Sequence, residues 1–212
     1  MKKTKLVLIL ISILFLVSGC GRSIQRANRA IGLIQDHVTN IIGKISEVQN
    51  REFDLQANFE ATLKQSEDLS AFLSSDTPLA ENISKRQALI DEIAKSQTTL
   101  QEMVEELNSL PDKEQLPKEQ VQKLIEYVKQ LNQDLDTYVA QYRTNLKQET
   151  ATFKALANTK TNHESFFKVF NNINQLYTEN NMNLDQVIAN FDPLNSLLVN
   201  LKVYLVNLTE KS

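Results

Sequence analysis

Cysteine occurs once in the chain, at Cys20, directly after Val17-Ser18-Gly19. A branched residue, two small residues and a cysteine form a bacterial lipobox. Small side chains let a peptidase reach the backbone, and a thiolate is the side-chain nucleophile best suited to take up a diacylglyceryl group. Lys2, Lys3 and Lys5 precede an apolar run over 6–17 interrupted only by Ser12. That run suits a signal peptide and is shorter than the roughly 20 residues needed to span a bilayer. The expectation is a signal peptide over 1–19, cleavage ahead of Cys20, and diacylglycerol and palmitate-type chains holding the mature protein on the extracytoplasmic face of the cell membrane.

Arg22, Arg26 and Arg29 all precede Asp36, the first acidic residue, and share one face of a helix. Three arginines at a helix N-terminus oppose the macrodipole, so helix stability does not account for them. Two readings are open: contact with anionic headgroups beside the lipid anchor, or a solvated tether over 20–30 with incidental charge.

The other residue types with chemical potential lack partners at useful spacing. His37 and His163 are the only histidines, and neither has a second His or Cys at ligand spacing. Acidic clusters occur at Asp91-Glu92, at Glu102 with Glu105 and Glu106, and at Asp134 with Asp136. On helices these project between the apolar positions, where charge keeps a helix soluble. Catalytic work would need burial and opposed environments to separate their pKa values. The expectation is no catalytic residue, no metal and no cofactor. Phe166, Phe170 and Tyr177 read as core, whereas Phe167 stands one position off the apolar stripe and is the candidate partner surface. Of the 20 asparagines, 12 fall in 158–212, which with these aromatics is a weak lead towards sugar contacts.

Composition excludes other chemistry. The sequence has 212 residues, four glycines and no tryptophan, and no glycine follows Gly43. There is therefore no Gly-rich phosphate loop, no nucleophile elbow and no Asn-Gly hairpin turn. A lone cysteine makes no internal disulfide. Beyond residue 19, 20 basic residues face 26 acidic ones, an acidic body that argues against nucleic acid.

The elements that carry these residues are helices with heptad spacing. Ile31, Ile34, Val38, Ile41, Ile45, Val48, Leu55, Phe59, Leu69 and Leu73 keep one alternating three-four rhythm, interrupted only by Glu52, Thr62 and Ser66. The spacing predicts one helix over 31–73. Ser74 to Pro78 breaks it, with Asp76 or Thr77 as N-cap and Pro78 at the first helical position.

A second seam runs from Ile83 to Leu107 with Arg86 and Gln97 as polar members, and Ser84-Lys85-Arg86-Gln87 reads as a capping box. Pro111 and Pro117 bound the next break. A third seam runs from Val121 to Leu156, and a turn is expected over 158–165, with Asn158 at C′ and a capping box over 161–164. The last seam, Phe166 to Leu208, keeps phase across Asn180-Asn181-Met182-Asn183, which predicts a continuous helix kinked at Pro193. The third and fourth seams share a phase, so one very long helix stays open. No segment alternates with period two. The expectation is an all-α, elongated antiparallel helical bundle over 31–212, with about four long helices packed in coiled-coil fashion.

A lipobox, an amphipathic helix, a second seam, a Pro-bounded turn, a helix carrying Tyr138, Tyr142, Glu149 and Phe153, and a final helix opening near Thr161 follow in that order. In this the chain resembles the YkyA-like cell-wall binding lipoproteins of low-GC Gram-positive bacteria. The resemblance implies a lipid-anchored helical protein facing the wall, and it transfers no functional residue beyond Cys20. The expected function is a non-enzymatic envelope protein contacting peptidoglycan or an envelope protein. The alternative is a ligand-binding or chaperone-like helical module. Oligomeric state does not follow from the sequence.

Overall fold

The structure, a computed structural model, describes the backbone of residues 2–110, 116–157 and 163–209 and the side chains of 23–110, 116–157 and 166–208. Among these residues there are helices and no strand. In chain order they are α1 (Lys2–Phe53), α2 (Leu55–Leu63), a single 3-10 turn (Ser70–Leu73), α3 (Pro78–Asn108), α4 (Lys118–Leu156), α5 (His163–Ala189) and α6 (Phe191–Thr209). The protein is an all-α helical bundle. Among the described residues of 118–209 there are three helices, α4, α5 and α6. The lipobox, Arg22, Asn158 and the capping box expected over 161–164 lie outside the described side chains.

The expected first helix, 31–73, is instead divided. The break at Asp54 is slight, since Asp54 N still donates to Asn50 O at 3.1 Å and Asn58 N to Asp54 O at 3.0 Å. The helix truly ends after Leu63, where the polar run Lys64 to Asp68 begins. Short side chains there bind backbone amides that a helix would have used: Ser66 Oγ accepts from Ala71 N at 2.9 Å and Asp68 Oδ1 from Ser70 N at 3.1 Å. Leu69 is driven to φ 63°, a left-handed conformation costly for a branched side chain, and cannot belong to a helix.

The boundaries of α3 follow the capping rules. Thr77 Oγ1 accepts from Ala80 N at 3.3 Å, and Pro78 opens the helix where its missing N–H is harmless. The capping box expected at Ser84 to Gln87 does not form, because those residues lie inside α3.

The continuous helix expected over 166–208 is also divided, although Asn180 to Asn183 are helical as expected. The break falls at Asn190, and Pro193 lies in the first turn of α6. A proline ring clashes with the carbonyl four residues back, here Ala189, so the helix must end there and restart.

Two compact units emerge. The first comprises Met1–His37, Thr98–Asn132 and Asn190–Ser212. Its buried residues include Ile31 and Ile34 from α1, Leu100 and Leu107 from α3, Leu124 and Leu131 from α4, and Leu198 and Leu201 from α6. The second comprises Val38–Gln97 and Gln133–Ala189. In it, Asn40 bonds Ser96 while Asn82 bonds the Arg51 carbonyl, so α1 and α3 run antiparallel. Gln97–Asp136 and Arg143–Asp91 contacts set α3 antiparallel to α4 in the same way.

One end of the second unit closes on Phe59. Its ring centroid lies 5.1 Å from Phe72 and Phe170, 5.7 Å from Phe153 and 6.2 Å from Phe166. Thr62, fully buried, accepts a hydrogen bond from Leu79 N at 3.1 Å and so ties α2 to the first turn of α3. Thr62→Val keeps the shape but leaves that buried amide unpaired. Urea unfolding of this variant is expected to show a loss of about 1–3 kcal/mol, and an unchanged midpoint would remove the tie from the account of the fold.

Candidate functional site

The second unit carries its polar chemistry on seam positions. Arg86 of α3 is fully buried, as is Glu149 of α4. Their forks meet in a bidentate pair: Nη2 donates to Glu149 Oε1, and Nη1 donates to Oε2 at 3.0 Å. Arg86 Nε donates to Asn82 Oδ1 one turn back at 2.9 Å, and Asn82 in turn donates to the Arg51 carbonyl at 2.8 Å. Tyr142 joins the pair to α1, its hydroxyl accepting from Arg86 Nη1 at 3.4 Å and donating to Glu52 Oε1 at 2.7 Å. The Arg86 guanidinium also lies 5.9 Å from the centroid of the Tyr177 ring on α5. Further along α4, Asn145 donates to Asn180 Oδ1 and to the Leu176 carbonyl.

Burial and charge act on these groups in opposite senses. Burial works against the Arg86 charge, but the Glu149 carboxylate outweighs it and holds the guanidinium pKa well above its ordinary value. Burial pushes the Glu52 carboxyl up, against the pull of the Tyr142 hydrogen bond and the nearby Arg86. The phenols of Tyr138, Tyr142 and Tyr177 are also raised, chiefly by burial. The cluster therefore holds one committed ion pair and one carboxyl that resists ionisation.

A groove opens on the same two helices. It has a volume of about 330 Å³, with Phe72, Leu79, Ile83, Leu146 and Phe153 in its apolar lining. Its other lining residues are hydroxyl-bearing, small or amide side chains and Leu73, together with two charged residues, Lys147 and Lys154.

Of the residues singled out by sequence, Arg26 and Glu106 are brought together. Arg26 donates from Nε and Nη2 to the Glu106 carboxylate at 2.7 and 3.0 Å and from Nη2 to Ser109 Oγ, all within the first unit. The hydrogen bond from Arg26 leads in lowering the Glu106 carboxyl pKa, to which the nearby Arg29 also contributes. Phe167 is 71% exposed. His37 is half-buried, not solvated as a surface residue would be, and its Nδ1 is enclosed without a hydrogen-bond partner. No group of His, Cys, Asp and Glu able to hold a metal occurs among the described residues. The acidic clusters weighed for catalysis did not include Glu52 or Glu149, which lie on the seams. The signal was present: Glu52 and Arg86 interrupt heptad seams, and Glu149 falls seven residues after Tyr142.

The described residues form a helical bundle around a closed polar cluster, and no described helix is long and apolar enough to cross a membrane. Residues 23–200 match the YkyA family, described as "putative cell-wall binding lipoprotein", and the chain belongs to that family. No curated protein and no solved structure matches the chain.

Two expectations follow. Glu149→Ala strands a buried guanidinium and should cost about 3–5 kcal/mol in urea unfolding, whereas the apolar double replacement Arg86→Met with Glu149→Leu should recover most of that loss. A double variant as unstable as the single one would refute the uncompensated charge as the cause. For Glu52, the folded chain holds the proton more tightly than the unfolded one. Stability therefore falls as pH rises from the ordinary carboxylate range through the raised folded pKa. Glu52→Gln keeps an acceptor for Tyr142 and lacks this penalty. Its unfolding midpoint should exceed that of the wild type near about pH 7, with the gap closing towards about pH 4; a pH-independent gap would exclude ionisation of Glu52.

Proposed function

We propose that the chain is a lipid-anchored, non-enzymatic protein of the extracytoplasmic envelope, acylated at Cys20, whose helical bundle contacts peptidoglycan or an envelope protein. The family match over 23–200 carries this reading, and the lipobox Val17-Ser18-Gly19-Cys20 just ahead of it supplies the anchor. Arg22, Arg26 and Arg29 lie within the first ten residues after the acylated cysteine, within reach of anionic headgroups. Arg26 stays exposed while paired with Glu106, so that pair forms in water and can exchange for a headgroup phosphate.

The carboxylates of the polar cluster, Glu149 buried and Glu52 half-buried, support a structural role over a catalytic one. Glu149 is committed to Arg86, and Glu52 accepts from Tyr142. Neither lines the groove. Phe167, exposed on α5, is the proposed contact for a partner.

The test combines fractionation with wall binding. Cys20→Ala should move the chain from the membrane fraction to the soluble one and abolish globomycin-sensitive processing, while the soluble protein is still retained on purified wall sacculi. Unchanged processing and membrane retention would sink the anchor. Failure to sediment with sacculi would rule out direct wall binding and leave an envelope protein as the partner.

A further inference from the structure

The groove of the second unit lies between the 3-10 turn, α3 and α4. Its lining includes Phe72 and Leu73 of the 3-10 turn, and Ser74 and Ser75 beyond it. This segment is fixed from below. Leu69 holds its left-handed backbone just before the turn, and Ser66 and Asp68 bind the amides of Ala71 and Ser70. A costly conformation held by local hydrogen bonds beside a cavity is a feature of prearranged sites. Across the groove, Leu79 is fixed by the bond from its amide to Thr62.

The charge of the groove is one-sided. The chain as a whole is net negative, −3 over the full sequence, yet no carboxylate lines this cavity. Its two charged residues are Lys147 and Lys154, both exposed on α4 and two helical turns apart on one face. Glu149, between them in sequence, is turned into the interior and neutralised by Arg86. The amides at the start of α3 are already taken, Leu79 N by Thr62, Ala80 N by the Thr77 side chain and Glu81 N by the Thr77 carbonyl. The charged groups that meet an anion at this groove are therefore the two ammonium groups, with no help from the first amides of α3. A volume of about 330 Å³ lies at the small end of ligand pockets and suits one chain or ring system better than a folded partner.

We propose that this groove binds a single-chain anionic amphiphile, its apolar arm lying against Phe72, Leu79, Ile83 and Phe153 and its charged group held by Lys147 and Lys154. The shared chemistry is one anionic group on an apolar chain, whether a carboxylate of fatty-acid type or a phosphate monoester of lysolipid type.

The test is photo-crosslinking of the full chain in its own membranes. Three probes carry the same diazirine-bearing alkyl chain, one ending in a carboxylate, one in a phosphate monoester and one in the methyl ester of the carboxylate. At least one anionic probe should label peptides containing Ile83 or Phe153, and the preference between the two names the source. The uncharged ester should label those peptides about tenfold less, and the surface double variant Lys147→Glu with Lys154→Glu should lower anionic labelling by a similar factor. Ile83→Trp, which fills the cavity while leaving both lysines, should abolish labelling with the helical circular dichroism unchanged. Labelling spread over other peptides, equal labelling by the ester, or labelling undiminished in the lysine variant would each overturn the assignment.

Discussion

A guanidinium in the interior of a helical bundle has to be met by an anion on a neighbouring helix, and the second unit is organised around that requirement. Removing two charges from water costs several kcal/mol per ion, so Arg86 and Glu149 persist only because both forks are filled. Asn82, Tyr142 and Tyr177 complete the surroundings of the guanidinium, and through them α1, α3, α4 and α5 are all engaged. The pair is weak evidence for raw stability. Its value is positional. Heptad seams are repetitive, and a slip of α4 by seven residues would still offer apolar surface to α3. It would also place Tyr142 or Leu156 where Glu149 stands, leaving Arg86 without a counter-charge.

The same helices serve two surfaces. On α3 and α4 one set of positions faces the closed polar interior, and neighbouring positions line an open groove of opposite character. Fixing the register of α4 against α3 also fixes where Leu146, Lys147 and Phe153 stand relative to Leu79 and Ile83. The closed cluster thus sets the dimensions of the open one, though none of its charged members reaches the cavity.

Heptad spacing made the helices legible, because each seam is read from side chains a few residues apart. The α3 and α4 spans, the helical Asn180 to Asn183 segment and the Thr77-Pro78 start all follow from local rules. Local rules fail where two side chains choose between helix and loop. Ser66 and Asp68 captured amides that the apolar rhythm of Leu69 and Leu73 assigned to a helix, and Pro193 ended α5 four residues before itself. The ion pair was the least legible feature. Arg86 and Glu149 are 63 residues apart, and nothing in either neighbourhood names the other. The polar residues on the seams (Glu52, Thr62, Ser66, Arg86 and Gln97) were visible as irregularities. Each makes a specific hydrogen bond in the folded chain, so departures from the pattern marked the positions that specify it.

The two compact units are threaded through one another along the chain. The second is complete in sequence at Ala189, whereas the first draws on residues 1–37 and again on 190–212. A chain that emerges N-terminus first, as in synthesis or in passage through a translocon, can therefore finish the second unit while the first still lacks α6. During that interval Ile31 and Ile34 of α1 share their unit with parts of α3 and α4 but not yet with Leu198 and Leu201 of α6. Chain order thus lets the ion-paired unit close before the unit that draws on residues 1–37 and 190–212.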